Sequence, residues 1–188
     1  MAAVSAAFLI CRRHACLYSN LSMRAAIALG SNLGDRLANL QNARDRIRAL
    51  DGITEPTVQS AVYETSPVDC ELDARNFYNA VIEVGFERSA DAFLEELQKI
   101  EQALGRERNH ERNVSRSIDL DLLYFGSERR DDALLQLPHP RITERKFVLQ
   151  PLCDIAPDLR LPGQTKNVGE LLAQLQDQGK ITRLTENW

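Results

Sequence analysis

Asp119 and Asp121 stand one residue apart in the run IDLDLLYF, residues 118–125. Residues i and i+2 of a strand share a face, so in a strand both carboxylates project the same way, about 6–7 Å apart at Cα. Like charges on one face disfavour each other unless a cation lies between them. Carboxylate oxygens suit Mg²⁺, which takes one or two protein carboxylates and completes its shell with water and phosphate oxygens. Leu120 and Leu122 would then face the core. A solvated edge of a half-buried strand explains a lone D-x-D equally well, so the pair by itself does not decide.

The residues just upstream change the balance. Arg106, Arg108, Arg112 and Arg116 outnumber Glu107 and Glu111 in a chain whose net charge is −4. The guanidinium fork matches phosphate oxygens in a bidentate way. A cationic loop leading into paired carboxylates is what a nucleotide–Mg²⁺ site needs, because metal bridges carboxylate to phosphate while arginine neutralises the remaining oxygens. Two further stretches are weaker. Gly30-Ser31-Asn32-Leu33-Gly34-Asp35 reads as a turn between strand and helix, and matches neither the P-loop nor the dinucleotide glycine pattern. Leu137-Pro138-His139-Pro140 is a rigid extended stretch, followed by Arg145 and Phe147.

The elements that must position these residues follow from periodicity. Arg24–Leu29 is a short apolar strand. Asp35 caps a helix on which Leu37, Leu40, Ala43, Ile47 and Leu50 recur, closed by Asp51-Gly52. Thr57–Ser66 alternates as one strand, and Phe77–Phe86 is a strong one. Ser89 caps an amphipathic helix to Leu104 with Phe93, Leu94, Leu97 and Ile100 on one face and Gly105 beyond its end. Residues 126–132 form a charged turn, and Leu134–Leu137 a short strand. Thr143–Asp154 reads as helix in pieces, interrupted at Pro151. Val168–Gln176 and Ile181–Leu184 supply a last helix and strand. The order β-α-β-β-α-β predicts an α+β fold of ferredoxin-like type: an antiparallel sheet, two helices on one face and a mixed C-terminal extension.

Composition excludes several classes. The chain has 188 residues with 27% charged and 44% hydrophobic, the profile of one globular domain. The negative net charge argues against a general nucleic-acid binder. Cys11, Cys16, Cys70 and Cys153 form no C-x-x-C pair, which predicts plain thiols in a reducing cytoplasm. The apolar run Ala2–Ile10 is too short to span a bilayer, and its arginines follow instead of preceding it. Met23 abuts the first strand, so residues 1–22 are expected to be an extension outside the fold, and 23–188 a single domain.

Taken in order, IALGSNLGDR, YETSP, FYNAV, IEQALGR, RSIDLDLLYFG, LPHPR, FVLQPL and IAP resemble the 6-hydroxymethyl-7,8-dihydropterin pyrophosphokinase family from about Ala26 to Leu161. The resemblance implies transfer of the β,γ-diphosphate of ATP to the pterin hydroxymethyl oxygen in folate biosynthesis, with release of AMP. It implies two Mg²⁺ ions on Asp119 and Asp121, and phosphate contacts from Arg106 and Arg116 that assist transfer. Arg108 and Arg112 match basic residues of a loop over ATP. Gln98, Glu101, His139 and Arg145 match further ATP contacts. Thr65, Ser66, Pro67 and Val68 would line the pterin pocket, with Asn79 reading the pterin edge and Phe77 and Phe147 sandwiching the ring. The implied partners are these two small molecules, with no nucleic acid and no membrane, and the implied working form is a monomer.

The chain departs from the family pattern at Asn113-Val114-Ser115, where an aromatic and Gly-Pro are common. It departs again at Phe77, often a tyrosine, and at Pro140, an aromatic in some members. Two other readings remain open at this point. A nucleotidyltransferase also pairs a Gly-Ser turn with D-x-D, but there the two lie close in sequence. A ferredoxin-like regulatory module without catalysis would have no use for Asp119, Asp121, Arg106 and Arg116 together.

Overall fold

The structure, a computed structural model, describes residues 22–66, 75–105, 116–176 and 179–188. Its elements are β1 (Met23–Ser31), α1 (Arg36–Arg48), β2 (Ile53–Gln59), β3 (Val62–Thr65), β4 (Phe77–Phe86), α2 (Ala90–Ala103) and β5 (Asp119–Phe125). Then follow the short β6 (Arg130–Asp131) and β7 (Gln136–Leu137), a 3-10 turn at Ile142–Glu144, α3 (Lys146–Ile155), α4 (Val168–Gln174) and β8 (Ile181–Thr185). Apart from Ser22, whose hydroxyl meets that of Thr54, the expected extension 1–22 lies outside the described residues. Among the described residues no helix is long and apolar enough to cross a membrane.

The main sheet runs β5-β1-β4-β3-β8, with β2 also paired to β4, and every pairing is antiparallel. The expected strand Thr57–Ser66 is in fact two strands lying end to end along β4. The break is at Ser60, whose N–H donates to the Val81 carbonyl while its hydroxyl accepts the Val81 N–H. A side chain thus replaces a ladder bond and bends the strand, as at a bulge. Counted as one broken strand, β2–β3 restores the β-α-β-β-α-β order.

Strand alternation sorts the core into two layers. Ala25, Ile27 and Leu29 of β1 face α1 and α2, where they meet Leu40, Ala43, Ile47, Phe93 and Leu97. Asp35 and Ser89 cap these helices by accepting the N–H groups of Ala38 and Ala92. Gly105, at φ +95°, follows α2 in the left-handed conformation that glycine adopts without strain. Phe86 and Phe93 stack at 4.4 Å between centroids and lock α2 to the sheet.

Ala26, Val81 and Leu123 face the other way, against Val148, Leu149 and Leu152 of α3 and Val168 of α4. The C-terminal tail therefore builds a second helical layer. Pro151 does not interrupt α3, which runs through it. A proline inside a helix costs about 3 kcal/mol through its lost N–H bond and ring clash. Burial of Val148, Leu149 and Leu152 contributes about 1.5–3 kcal/mol each, which outweighs that cost. The expected strand Leu134–Leu137 shrinks to β7, which pairs with β6 inside what reads locally as a charged turn.

Candidate functional site

Asp119 and Asp121 lie on the α3 side of β5, opposite Gly30 and Ala28 of β1. Both are partly exposed, and each has a guanidinium beside it. Arg116 Nη1 is 2.7 Å from Asp119 Oδ1, and Arg145 Nη1 is 3.9 Å from Asp121 Oδ2. The like-charge repulsion expected from the D-x-D spacing is thus compensated by two arginines. Arg116 is held by its backbone as well: its N–H donates to Asn32 Oδ1 at 2.7 Å and its carbonyl accepts the Asn32 N–H. Asn32 is buried in the turn after β1, a role the sequence pattern did not suggest.

Glu101, from α2, is buried, and its carboxylate accepts the backbone N–H of Leu120 at 2.9 Å. It pins the helix to the strand residue between the two aspartates. Among the described residues no third histidine, cysteine or carboxylate joins Asp119 and Asp121 in a metal-binding group. A cation held here would complete its shell with oxygens from water or a substrate, which is the habit of Mg²⁺ with phosphates.

The β1–β5 register shifts between Ala26 and Ile27, leaving Leu123 as the extra residue of a bulge. Its carbonyl accepts the N–H of His139 at 2.8 Å, so the bulge brings the His139–Arg141 stretch alongside Asp121. His139 Nδ1 accepts the Arg141 N–H, which leaves the proton of the neutral ring on Nε2. Burial, then the charges of Arg145 and Arg141, push its pKa down to about 4.

Beside Asp121 opens a cleft of about 720 Å³, walled by Leu94 of α2, Leu120 and Leu122 of β5, the Asp132–Gln136 hairpin and His139–Arg141. Leu94 packs against the core, as expected of its helix face, and also borders the cleft. The Leu134–Gln136 wall was not expected as site, because its only local signal is an exposed leucine in a polar turn. Gln98 is exposed on α2, one turn beyond Leu94.

On the other side of Asp119 the row continues across the sheet, with Gly30 registered to Asn79 and Asn79 to Tyr63. Asn79 donates to Thr65 Oγ1 at 2.7 Å, and both side chains are buried. A Cβ on Gly30 would stand 3.2 Å from Asn79 Oδ1 and 3.9 Å from Asp119 Cβ. Glycine therefore keeps open the gap between the carboxylate and the amide. Phe77 is half-buried on β4 beside Thr65, and Phe147 packs against the second core from α3. The Arg145 guanidinium lies 5.3 Å from the Phe147 centroid, so this arginine spans the aspartates and the aromatic end. Ser66 follows Thr65 and donates its N–H to the Lys180 carbonyl. Pro67, Val68, Arg106, Arg108, Arg112 and the Asn113-Val114-Ser115 departure lie outside the described residues.

This arrangement can hold a polyanion at the aspartate–arginine centre, a ligand with both apolar and polar edges in the cleft, and a flat polar ligand against Asn79 and the phenylalanines. Residues 26–157 match the family model of 7,8-dihydro-6-hydroxymethylpterin-pyrophosphokinase (HPPK). The 2-amino-4-hydroxy-6-hydroxymethyldihydropteridine pyrophosphokinase of Methylorubrum extorquens is 41% identical over 156 residues, covering 83% of this chain and 96% of that one. The Bacillus subtilis enzyme of the same name is 42% identical over 131 residues, covering 70% and 77%. Among solved structures, wild-type Plasmodium falciparum HPPK-DHPS with pterin and p-hydroxybenzoate superposes with a TM-score of 0.64 at 14% identity. That match covers 83% of this chain but only 43% of the longer one, and bears on the fold alone.

Proposed function

The chain belongs to the 7,8-dihydro-6-hydroxymethylpterin-pyrophosphokinase family, ATP-dependent diphosphotransferases of folate biosynthesis, and on that premise we propose that the row Asp119–Gly30–Asn79 is where diphosphate passes from ATP to the hydroxymethyl group of 6-hydroxymethyl-7,8-dihydropterin. This register row is the observation that carries the reading. Neighbouring strands stand about 4.8 Å apart, so the aspartate and the amide are about 10 Å apart at Cα, the reach of a pterin ring plus its methylene.

ATP lies with its adenosine half in the cleft beside Leu94, Leu122 and His139 and its phosphates toward Asp119 and Asp121. The pterin lies against Asn79, Thr65 and Ser66 between Phe77 and Phe147, with Pro67 and Val68 completing its pocket. Ring stacking there adds about 0.5–1.5 kcal/mol per pair beyond area burial. The Gly30 gap leaves the hydroxymethyl group free to approach the β-phosphorus. Its oxygen forms the new bond there and releases its proton to solvent, while the bond from the β-phosphorus to the α-phosphate oxygen breaks and AMP departs with that oxygen.

Such transfers ask for positioning and charge neutralisation more than for covalent help. Arg116 and Arg145 supply cations already directed at the aspartates, close enough to turn to phosphate oxygens when these arrive. Arg106, Arg108 and Arg112 add charge from the stretch that precedes Arg116 in sequence. Gln98 and Glu101 face the nucleotide side of α2, Glu101 by holding the strand. Asp119 and Asp121 fit Mg²⁺, two ions as the resemblance implies, which when bound neutralises the triphosphate and polarises it toward attack. The proposed working form is a monomer, as the resemblance implies.

The test is incubation with ATP, Mg²⁺ and the hydroxymethyl-dihydropterin, with AMP and pterin diphosphate followed by chromatography. Stoichiometric AMP that depends on the pterin is expected. Inorganic pyrophosphate with nucleotide attached to the acceptor would instead indicate nucleotidyl transfer.

A further inference from the structure

The proposed nucleotide cleft has one wall on α2 and another on the β6–β7 hairpin, and a single side chain ties the two together. Arg130 Nη1 is 2.7 Å from Asp91 Oδ2 in the first turn of α2. The same guanidinium reaches Asp132 Oδ2 through Nε at 2.8 Å and Nη2 at 2.7 Å. The other oxygen of Asp132 accepts the N–H groups of Leu134 and Leu135, each at 3.0 Å. An unbroken chain of polar contacts therefore runs from α2 through Asp91, Arg130 and Asp132 to the backbone that carries Leu134 and Leu135. Leu94, on the opposite wall, is one helical turn after Asp91.

Stability does not account for this device. Ion pairs at the protein surface contribute little, and Asp91 and Asp132 are exposed. Leu135 and Leu137 are buried in the core shared with α2 and anchor the base of the hairpin, whereas Leu134 is 83% exposed, so little apolar burial holds that side chain in place. The polar chain through Asp132 is what fixes the exposed Leu134 relative to α2. Arg130 holds Asp91 and Asp132 below the usual carboxylate range, so the latch stays charged across the neutral region.

We infer that Arg130 is a positioning residue for the nucleotide: by clamping Asp91 to Asp132 it sets the distance between Leu94 and the exposed Leu134, and so the width of the cleft mouth that takes the adenosine half of ATP. This rests on the proposal that the cleft is the adenosine site. Arg130 touches no reacting atom, so its effect is confined to the base end of the ligand.

The test compares inhibition by adenosine and by inorganic tripolyphosphate, both against ATP, in the unaltered protein and in Arg130→Met. In the variant, KM for ATP and the inhibition constant of adenosine rise together by about three- to ten-fold, with kcat unchanged, the pattern of lost uniform binding. The tripolyphosphate constant and the pterin KM stay as they were. Asp91→Asn shifts adenosine in the same direction, and Arg130→Lys restores part of the loss. In a Leu134→Ala background Arg130→Met has no further effect on adenosine, because the wall it positions is gone. An unchanged adenosine constant in both Arg130→Met and Asp91→Asn overturns the latch, as does an equal rise for tripolyphosphate, which marks a general loss of structure. If adenosine fails to compete with ATP in the unaltered protein, the cleft assignment falls first and the latch with it.

Discussion

Arg116 Nη1 and Asp119 Oδ1 are 2.7 Å apart, so the arginine read as a phosphate contact and the aspartate read as a cation ligand neutralise one another across three residues of chain. With Arg145 near Asp121, the centre carries two positive and two negative groups. Polyphosphate and its metal can then enter by exchange of partners, with no net burial of unpaired charge.

Replacing either aspartate with asparagine keeps its shape and removes a ligand charge. Turnover is expected to fall by about 10²–10³ or more, roughly 3–4 kcal/mol of transition-state stabilisation. Because the arginines already offset the repulsion, neither variant gains much stability, and melting should shift by less than about 4 °C. AMP production and thermal melting on the same two samples check both halves. Near-parental turnover in stable variants removes the metal assignment.

Asn32 should matter although it touches no substrate in the proposed arrangement. Asn32→Ala takes away the acceptor of the Arg116 N–H and is expected to cost about 1–3 kcal/mol of stability. It also frees Arg116 to move, and misplacement of that kind lowers kcat about ten-fold or more. Asn32→Asp, which retains the acceptor, should restore most of kcat. A kcat unaffected by either change means that Arg116 is positioned by other contacts.

Gly30→Ala tests the gap between Asp119 and Asn79. The added Cβ would stand 3.2 Å from Asn79 Oδ1, so the amide must shift by a few tenths of an ångström while the fold persists. KM for the pterin is expected to rise about ten-fold, equivalent to roughly 1.4 kcal/mol, with ATP affinity unchanged. Titration calorimetry with each ligand separates this from a general defect, in which both affinities fall together.

His139 predicts a pH dependence of stability. Its folded pKa is about 4, below the ordinary value of 6.5. Between these values the unfolded chain binds a proton that the folded one refuses, so stability rises with pH there and is lost as pH falls from about 6.5 toward 4. The upper limit of this loss is about 3 kcal/mol, reduced by the partial exposure of the ring. Denaturant midpoints at pH 7 and pH 4.5 should differ less in His139→Asn than in the parent. Equal differences would assign the acid sensitivity to other groups.

Local pattern determines much of this molecule. Helices α1 and α2, their caps Asp35 and Ser89, Gly105 and the strand Phe77–Phe86 all follow from spacings within a few residues, where i, i+2 and i+3 relations are imposed by backbone geometry. The same rule put Asp119 and Asp121 on one face, and the ordered motifs pointed to the family. The split at Ser60 and the passage of α3 through Pro151 were not legible. Each depends on what a distant segment offers: a Val81 peptide group in one case, the second face of the sheet in the other.

The site shows the same division. Which residue types could bind phosphate or metal was written in the chain, since charge and side-chain chemistry belong to single residues. Their alignment was not. Asp119, Gly30 and Asn79 share a row because strands far apart in sequence meet in one hydrogen-bond register. The Leu123 bulge delivers His139 to Asp121, and the hairpin and α2 make a cleft only when packed around β5. Register and packing are agreements between remote segments, each weak alone and fixed only by the cooperative burial of the whole, so tertiary structure decides them.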